Sequence, residues 1–205
     1  MRRESSTVVA LVGDVTGDLL ADVARSPNVS VAPSADSAGQ AAVAPTASPS
    51  GLDSGAAAMR EAARQRSMYV IVPADPLADV AASWREMWDP MTGSPGAVGF
   101  EASVAEALAA WEAKRFELPD YYLVVAPAHG SLTVPDLYLG PLRAARPRRV
   151  AVAGVADSAV QAATLLDALR SLEHGPWWPP LDELLDAARR FYAGGLAETQ
   201  QLATK

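Results

Sequence analysis

At 205 residues, half of them hydrophobic, with a formal charge of −7, the chain has the material for one sizeable core. Its acidity argues against nucleic acid or an anionic membrane surface as a partner. The lack of any cysteine excludes disulfides, thiol nucleophiles and cysteine zinc sites, and with only His129 and His174 present a metal site must be built largely from carboxylates.

Arg2-Arg3 followed by TVVALVG has the outline of a secretory signal. The apolar run spans only about seven residues, however, and ends at Asp14 with no small-residue cleavage site behind it, so a cytoplasmic location is expected. No apolar run approaches the ~20 residues of a membrane span. TVVALVG (7–13) reads instead as a strand: short, continuous, β-branched and followed by the turn GDVTGD (13–18) and the helical pattern DLLADVA (18–24).

That turn invites comparison with phosphate cradles. A P-loop needs GxxxxGK[ST], with glycines that let backbone amides surround the phosphate and a lysine that neutralises it. Here Asp14 and Asp18 stand where an anion would go and no lysine follows, so phosphate is repelled. The GxGxxG dinucleotide fingerprint is not met either. The stretch is similar in outline to the Gly-Asp-x-His-Gly turn of metallophosphoesterases, but Thr16 occupies the position of the ligating histidine and no Gly-Asn-His-Glu element follows. A plain bend between strand and helix is the reading that remains.

NVSVA (28–32) is a weaker strand suited to a sheet edge. Residues 33–58, almost entirely Ala, Ser, Pro and Gly apart from Leu52, read as a flexible insertion. MYVIVP (68–73) is a further buried strand. Beyond it Leu77, Val80, Ala81, Trp84 and Trp88 form one apolar helical stripe, with Asp75 as N-cap and Pro76 at the first helical position. DPLADVA (75–81) echoes DLLADVA (18–24) at six of seven positions, which casts Asp18 in the capping role of Asp75.

DPMTGSPGAVGF (89–100) reads as a surface loop of lid length. A helix over 104–116 carries Val104, Leu108 and Trp111, with Ser103 and Glu106 as its capping box. YYLVVAP (121–127) is a strand whose exit, AHGS, places His129 beside Gly130 and Ser131. RAARPRR (143–149) is the one basic run and leads into the strand RVAVAGV (149–155). Asp157 and the Ser158/Gln161 box open a helix bearing Leu165, Leu166, Leu169 and Leu172. EHGPWWPPL (173–181) sets Trp177 and Trp178 between prolines in a loop, where exposed tryptophan suits a partner. His174 reads as a helix-end residue. A last helix runs from Leu181 to about Tyr192, and 196–205 read as a frayed tail.

Alternating strands and helices predict one α/β domain over 1–195: a doubly wound, mostly parallel sheet of four to five strands, Rossmann-like, with helices on both faces. In such sheets ligands bind outside the carboxyl ends of the strands, where Asp14, Asp75, His129 and Asp157 are expected. Asp75 is explained by its N-cap position and Asp157 adjoins the cap Ser158, which leaves Asp14 and His129 as the pair to carry chemistry. The leading functional expectation is a non-catalytic binding module for a partner protein, a second copy of the chain or a small ligand, with Trp177 and Trp178 as partner contacts. A metal-assisted hydrolase of a small phosphate-containing substrate is the first alternative, with Asp14 and Asp18 holding the cation and His129 as base. A structural subunit of a larger assembly is the second. No residue pattern names a cofactor.

Overall fold

In a computed structural model of the chain, residues 6–33, 50–88, 95–125, 136–153 and 158–203 are described. Five strands, β1 (Thr7–Gly13), β2 (Val29–Val31), β3 (Tyr69–Val72), β4 (Tyr121–Val125) and β5 (Val150–Ala153), form one sheet in the order β2-β3-β1-β4-β5. Every pairing is parallel, from Thr7 opposite Tyr69 to Val125 opposite Ala153. The doubly wound α/β class is therefore as expected, and NVSVA does form an edge strand. The strand order is neither the 3-2-1-4-5 of dinucleotide-binding folds nor the flavodoxin-like 2-1-3-4-5.

Both faces of the sheet are covered, which explains why its strands are continuously apolar. Val9 and Leu11 of β1, Ile71 of β3, and Leu123 and Val125 of β4 face α1 (Gly17–Ala24) and the helix Ser158–Arg170, meeting Leu19, Val23, Leu165 and Leu169. The alternate residues Ala10, Val12, Tyr122 and Val124 face the other way, into the larger core. That core is closed by α2 (Gly51–Ala62), α3 (Ala78–Trp88), α4 (Pro95–Glu112) and the C-terminal helix Leu181–Ala203. The crossover from β4 to β5 lies on the same face. It holds a π-helical turn (Tyr138–Leu142), which runs into the single helical turn α5 (Arg143–Ala145). We number the two remaining helices α6 (Ser158–Arg170) and α7 (Leu181–Ala203).

The handedness of βαβ units accounts for this distribution. The first crossover, β1 to β2, moves toward one edge and the later ones move back across the sheet. Right-handed connections then put α1 on one face and α2 to α4 on the other.

Three elements differ from their expected extents. The last eight residues of the supposed insertion 33–58 belong to helix α2, with Leu52, Gly55, Ala56 and Ala58 buried; residues 34–49 lie outside the described residues. Small side chains here serve close packing: a Cβ on Gly55 would come within 2.2 Å of the Pro76 nitrogen and 2.3 Å of the Asp75 carbonyl carbon. The supposed surface loop 89–100 is helical from Pro95, with Phe100 buried under Trp84 at 5.6 Å between ring centroids; 89–94 are not among the described residues. Ser103 thus sits inside α4 rather than capping it, and its hydroxyl meets that of Ser83 at 2.8 Å. The last helix passes its expected end near Tyr192 and continues to Ala203. No helix among the described residues is long and apolar enough to cross a membrane.

Candidate functional site

The carboxyl ends of β3, β1 and β4 lie side by side. α1 packs on one face of the sheet, whereas α3 and the described part of the β4–β5 crossover, from Asp136, pack on the other. The exit of β1 is therefore flanked on both sides by elements departing to the opposite face, the position at which open α/β sheets form a crevice.

Gly13 makes the turn at that exit. Its φ of +101° belongs to glycine, and a Cβ would stand 2.3 Å from the Val125 carbonyl oxygen. The Asp14 amide donates to the Val125 carbonyl at 3.2 Å, and the Val15 amide to that of Gly13 at 3.0 Å. Thr16 is the N-cap of α1: its backbone is extended, and its Oγ1 accepts the Leu19 amide at 3.2 Å. Asp18 does not cap, contrary to the echo with DPLADVA. It is one residue inside the helix, where its charge complements the helix dipole. Thr16 takes the cap position and accepts the Leu19 amide, and Asp18 lies past that position, inside the helix.

Asp14 and Asp18 are both solvent-exposed on this rim. Among the described residues no group of three or more His, Cys, Asp or Glu side chains is arranged to hold a metal ion. His129, Gly130, Ser131 and Asp157 lie outside the described residues.

Beneath the rim is a feature that sequence patterns did not disclose. Asp75, just past the end of β3, is buried at 5 % exposure. Its Oδ1 accepts the Tyr122 hydroxyl at 3.0 Å, its Oδ2 the Tyr138 hydroxyl at 2.5 Å, and its carboxylate also takes the Leu77 amide. The last bond closes the local Asp75–Leu77 turn; the helix itself begins at Ala78, so, contrary to the expectation from sequence, Asp75 is not its N-cap and Pro76 not its first residue. The two tyrosine bonds join β4 and the crossover to the same carboxyl. Burial pushes the Asp75 carboxyl up to about 6, against the pull of its three donors and with a small addition from Asp79. Burial, reinforced by the Asp75 charge, also holds both tyrosine hydroxyls well above their ordinary value, so they remain donors. The two rings lie 5.1 Å apart. The signals available in sequence were two tyrosines opening a buried strand and a further one two residues after Asp136.

The tryptophan pair is at the other end of the molecule. Arg149, next before β5, is buried at 6 % exposure and donates to the carbonyls of Pro176, Asp120 and Gly175 at 3.1, 3.1 and 2.7 Å. It pins the 173–180 loop to the amino ends of β4 and β5. Trp178 is a core residue at 5 % exposure, with its indole N–H on the Pro119 carbonyl at 2.7 Å and its ring 5.6 Å from that of Tyr122. The partner contact expected of Trp178 is therefore corrected: its polar atom and its apolar face are both spent inside the fold. Trp177 is 38 % exposed and covers the Arg149 guanidinium at 5.0 Å. The basic run 143–149 is thus in part a structural clasp, as Arg146 donates to the Trp177 carbonyl and Arg148 pairs with Glu173. Comparison of the chain with protein-family models, with curated proteins and with solved structures returned no significant match.

Proposed function

We propose that the protein is a non-catalytic α/β binding module that takes a small ligand or a segment of a partner protein at the carboxyl edge of its sheet, around Asp14. The observation that carries this reading is the position of the Gly13–Thr16 turn, at a crossing point where neighbouring connections depart to opposite faces. The turn offers two exposed carboxylates and a glycine-enforced bend, and no lysine or arginine occurs between residues 4 and 24. This character favours neutral or cationic groups over phosphate. Trp177, at the opposite end of the sheet, has no part in the site.

A thermal-shift screen of amines, amino acids, nucleotides, sugar phosphates and divalent cations tests it. A compound that raises the melting temperature of the wild type, but not of Asp14→Asn, supports the reading. Turnover of a phosphoester that Asp14→Asn abolishes would replace it with the hydrolase. Shifts that persist unchanged in Asp14→Asn would remove the site from this rim.

A further inference from the structure

Asp75 is a point where four elements converge. It belongs to the β3–α3 turn; Tyr122 reaches it from β4 and Tyr138 from the crossover. On the remaining side α2 presents Gly55, so close that no side chain fits between the helix and the Asp75-Pro76 backbone. Neither hydroxyl nor amide carries a positive charge, and no ion pair with Asp75 is found among the described residues. The other charged groups bearing on the cluster are Asp79 of α3, which repels the carboxylate, and Asp136 and Arg85, which act in opposite senses on Tyr138.

A buried carboxyl without a cation is more at home neutral than ionised. A protonated Asp75 still accepts from the tyrosines on its carbonyl oxygen and can return its own proton to a tyrosine oxygen. We propose that Asp75 is a proton-dependent latch, its neutral form holding the crossover Asp136–Leu142 against the sheet and its ionisation loosening that crossover. The reading concerns the unliganded protein and does not depend on what binds near Asp14. Because burial lifts the folded-state carboxyl from 3.8 to about 6, opening that hydrates Asp75 is favoured as pH rises.

The test is amide hydrogen exchange of the whole protein at pH 5 and pH 8, corrected for intrinsic rates. The reporters are the amides bound within the crossover, Gly140 to the Asp136 carbonyl and Leu142 to that of Leu137. Their opening equilibrium is expected to rise about tenfold from pH 5 to pH 8, from the two titration midpoints. The Leu20 amide of α1, bound to the Thr16 carbonyl, serves as control and is expected to stay level. Asp75→Asn is expected to abolish the rise. Tyr138→Phe, which removes a bond that favours the charged form over the neutral one, is expected to steepen it. Crossover amides that open equally at both pH values overturn the latch. So does a rise shared by α1, or one retained in Asp75→Asn. If Asp75→Asn fails to fold, an unchanged pH ratio in Tyr138→Phe is equally decisive against it.

Discussion

Replacing Gly55 by alanine sets two effects of opposite sign against each other. Within a helix the change is worth about 1 kcal/mol in favour of alanine, through reduced backbone freedom in the unfolded chain. Here the new methyl would lie 2.2, 2.3 and 2.6 Å from the Pro76 nitrogen, the Asp75 carbonyl carbon and the Pro76 Cα. All three are backbone atoms that no rotamer change can move, so α2 must be displaced from the β3–α3 turn. Overpacking of this kind costs about 1–3 kcal/mol and exceeds that when backbone must shift. The clash therefore wins, and a net loss of about 2 kcal/mol is expected. For a chain of this size that lowers the melting temperature by about 4–8 °C. Gly99 in α4 is the control, with nothing within 4 Å of a Cβ. Gly99→Ala is expected to keep the propensity gain and raise the melting temperature by about 2–4 °C. Calorimetry of the two variants decides. If Gly55→Ala melts at or above the wild type, the close contact of α2 with the Asp75-Pro76 backbone is wrong.

Three further outcomes are expected. Asp75 has a folded-state value near 6 against 3.8 when unfolded, so its favourable contribution is full below pH 3.8 and is lost as pH rises through 6. The melting temperature of Asp75→Asn relative to wild type is accordingly expected to climb between pH 5 and pH 8, by about 3–6 °C for about 1.4 kcal/mol; a constant difference across that range would show the carboxyl to be unperturbed. Arg149→Lys keeps the charge, but its single nitrogen cannot reach the three carbonyls that the spread guanidinium nitrogens serve, and a loss of about 2–3 kcal/mol in urea unfolding is expected; a change below about 0.5 kcal/mol would mean that water takes over the carbonyls. Trp178→Ala is expected to cost about 3–5 kcal/mol and Trp177→Ala under about 2 kcal/mol. Equal losses would contradict the burial that separates the two.

The strands were legible because a parallel sheet covered on both faces leaves no polar position to disguise it: TVVALVG and YYLVV announce themselves. The bend from β1 into α1 was also legible in outline, although Thr16 rather than Asp18 is the cap. What composition obscured is instructive. α2 reads as a linker because its packing depends on small side chains, and the reason lies in the backbone of Asp75-Pro76, about twenty residues beyond Gly55. PGAVGF reads as loop because glycine and proline dominate it. Pro95 opens α4 all the same, where its missing amide costs nothing and Phe100 supplies the anchor. Asp75 stood out in sequence only as an N-cap ahead of Pro76, and its one local bond is to the Leu77 amide. Its tyrosine partners, 47 and 63 residues distant, belong to the tertiary fold and leave no periodicity to read.

The strand order has a consequence for how the chain is made. β1 is synthesised first yet occupies the middle of the sheet, with β3 on one side and β4 on the other. β2 follows it but pairs only with β3, so during synthesis the first two strands have no mutual contact to make. The apolar ribbon Val8–Val12 thus gains its first neighbour only after Tyr69–Val72 has emerged, and its second after Tyr121–Val125. Non-local pairing of this kind is slow and leaves hydrophobic edges bare in the meantime. A nascent chain halted between residues 73 and 120 therefore exposes one whole flank of its central strand, and such truncated chains are the species that should engage chaperones or aggregate.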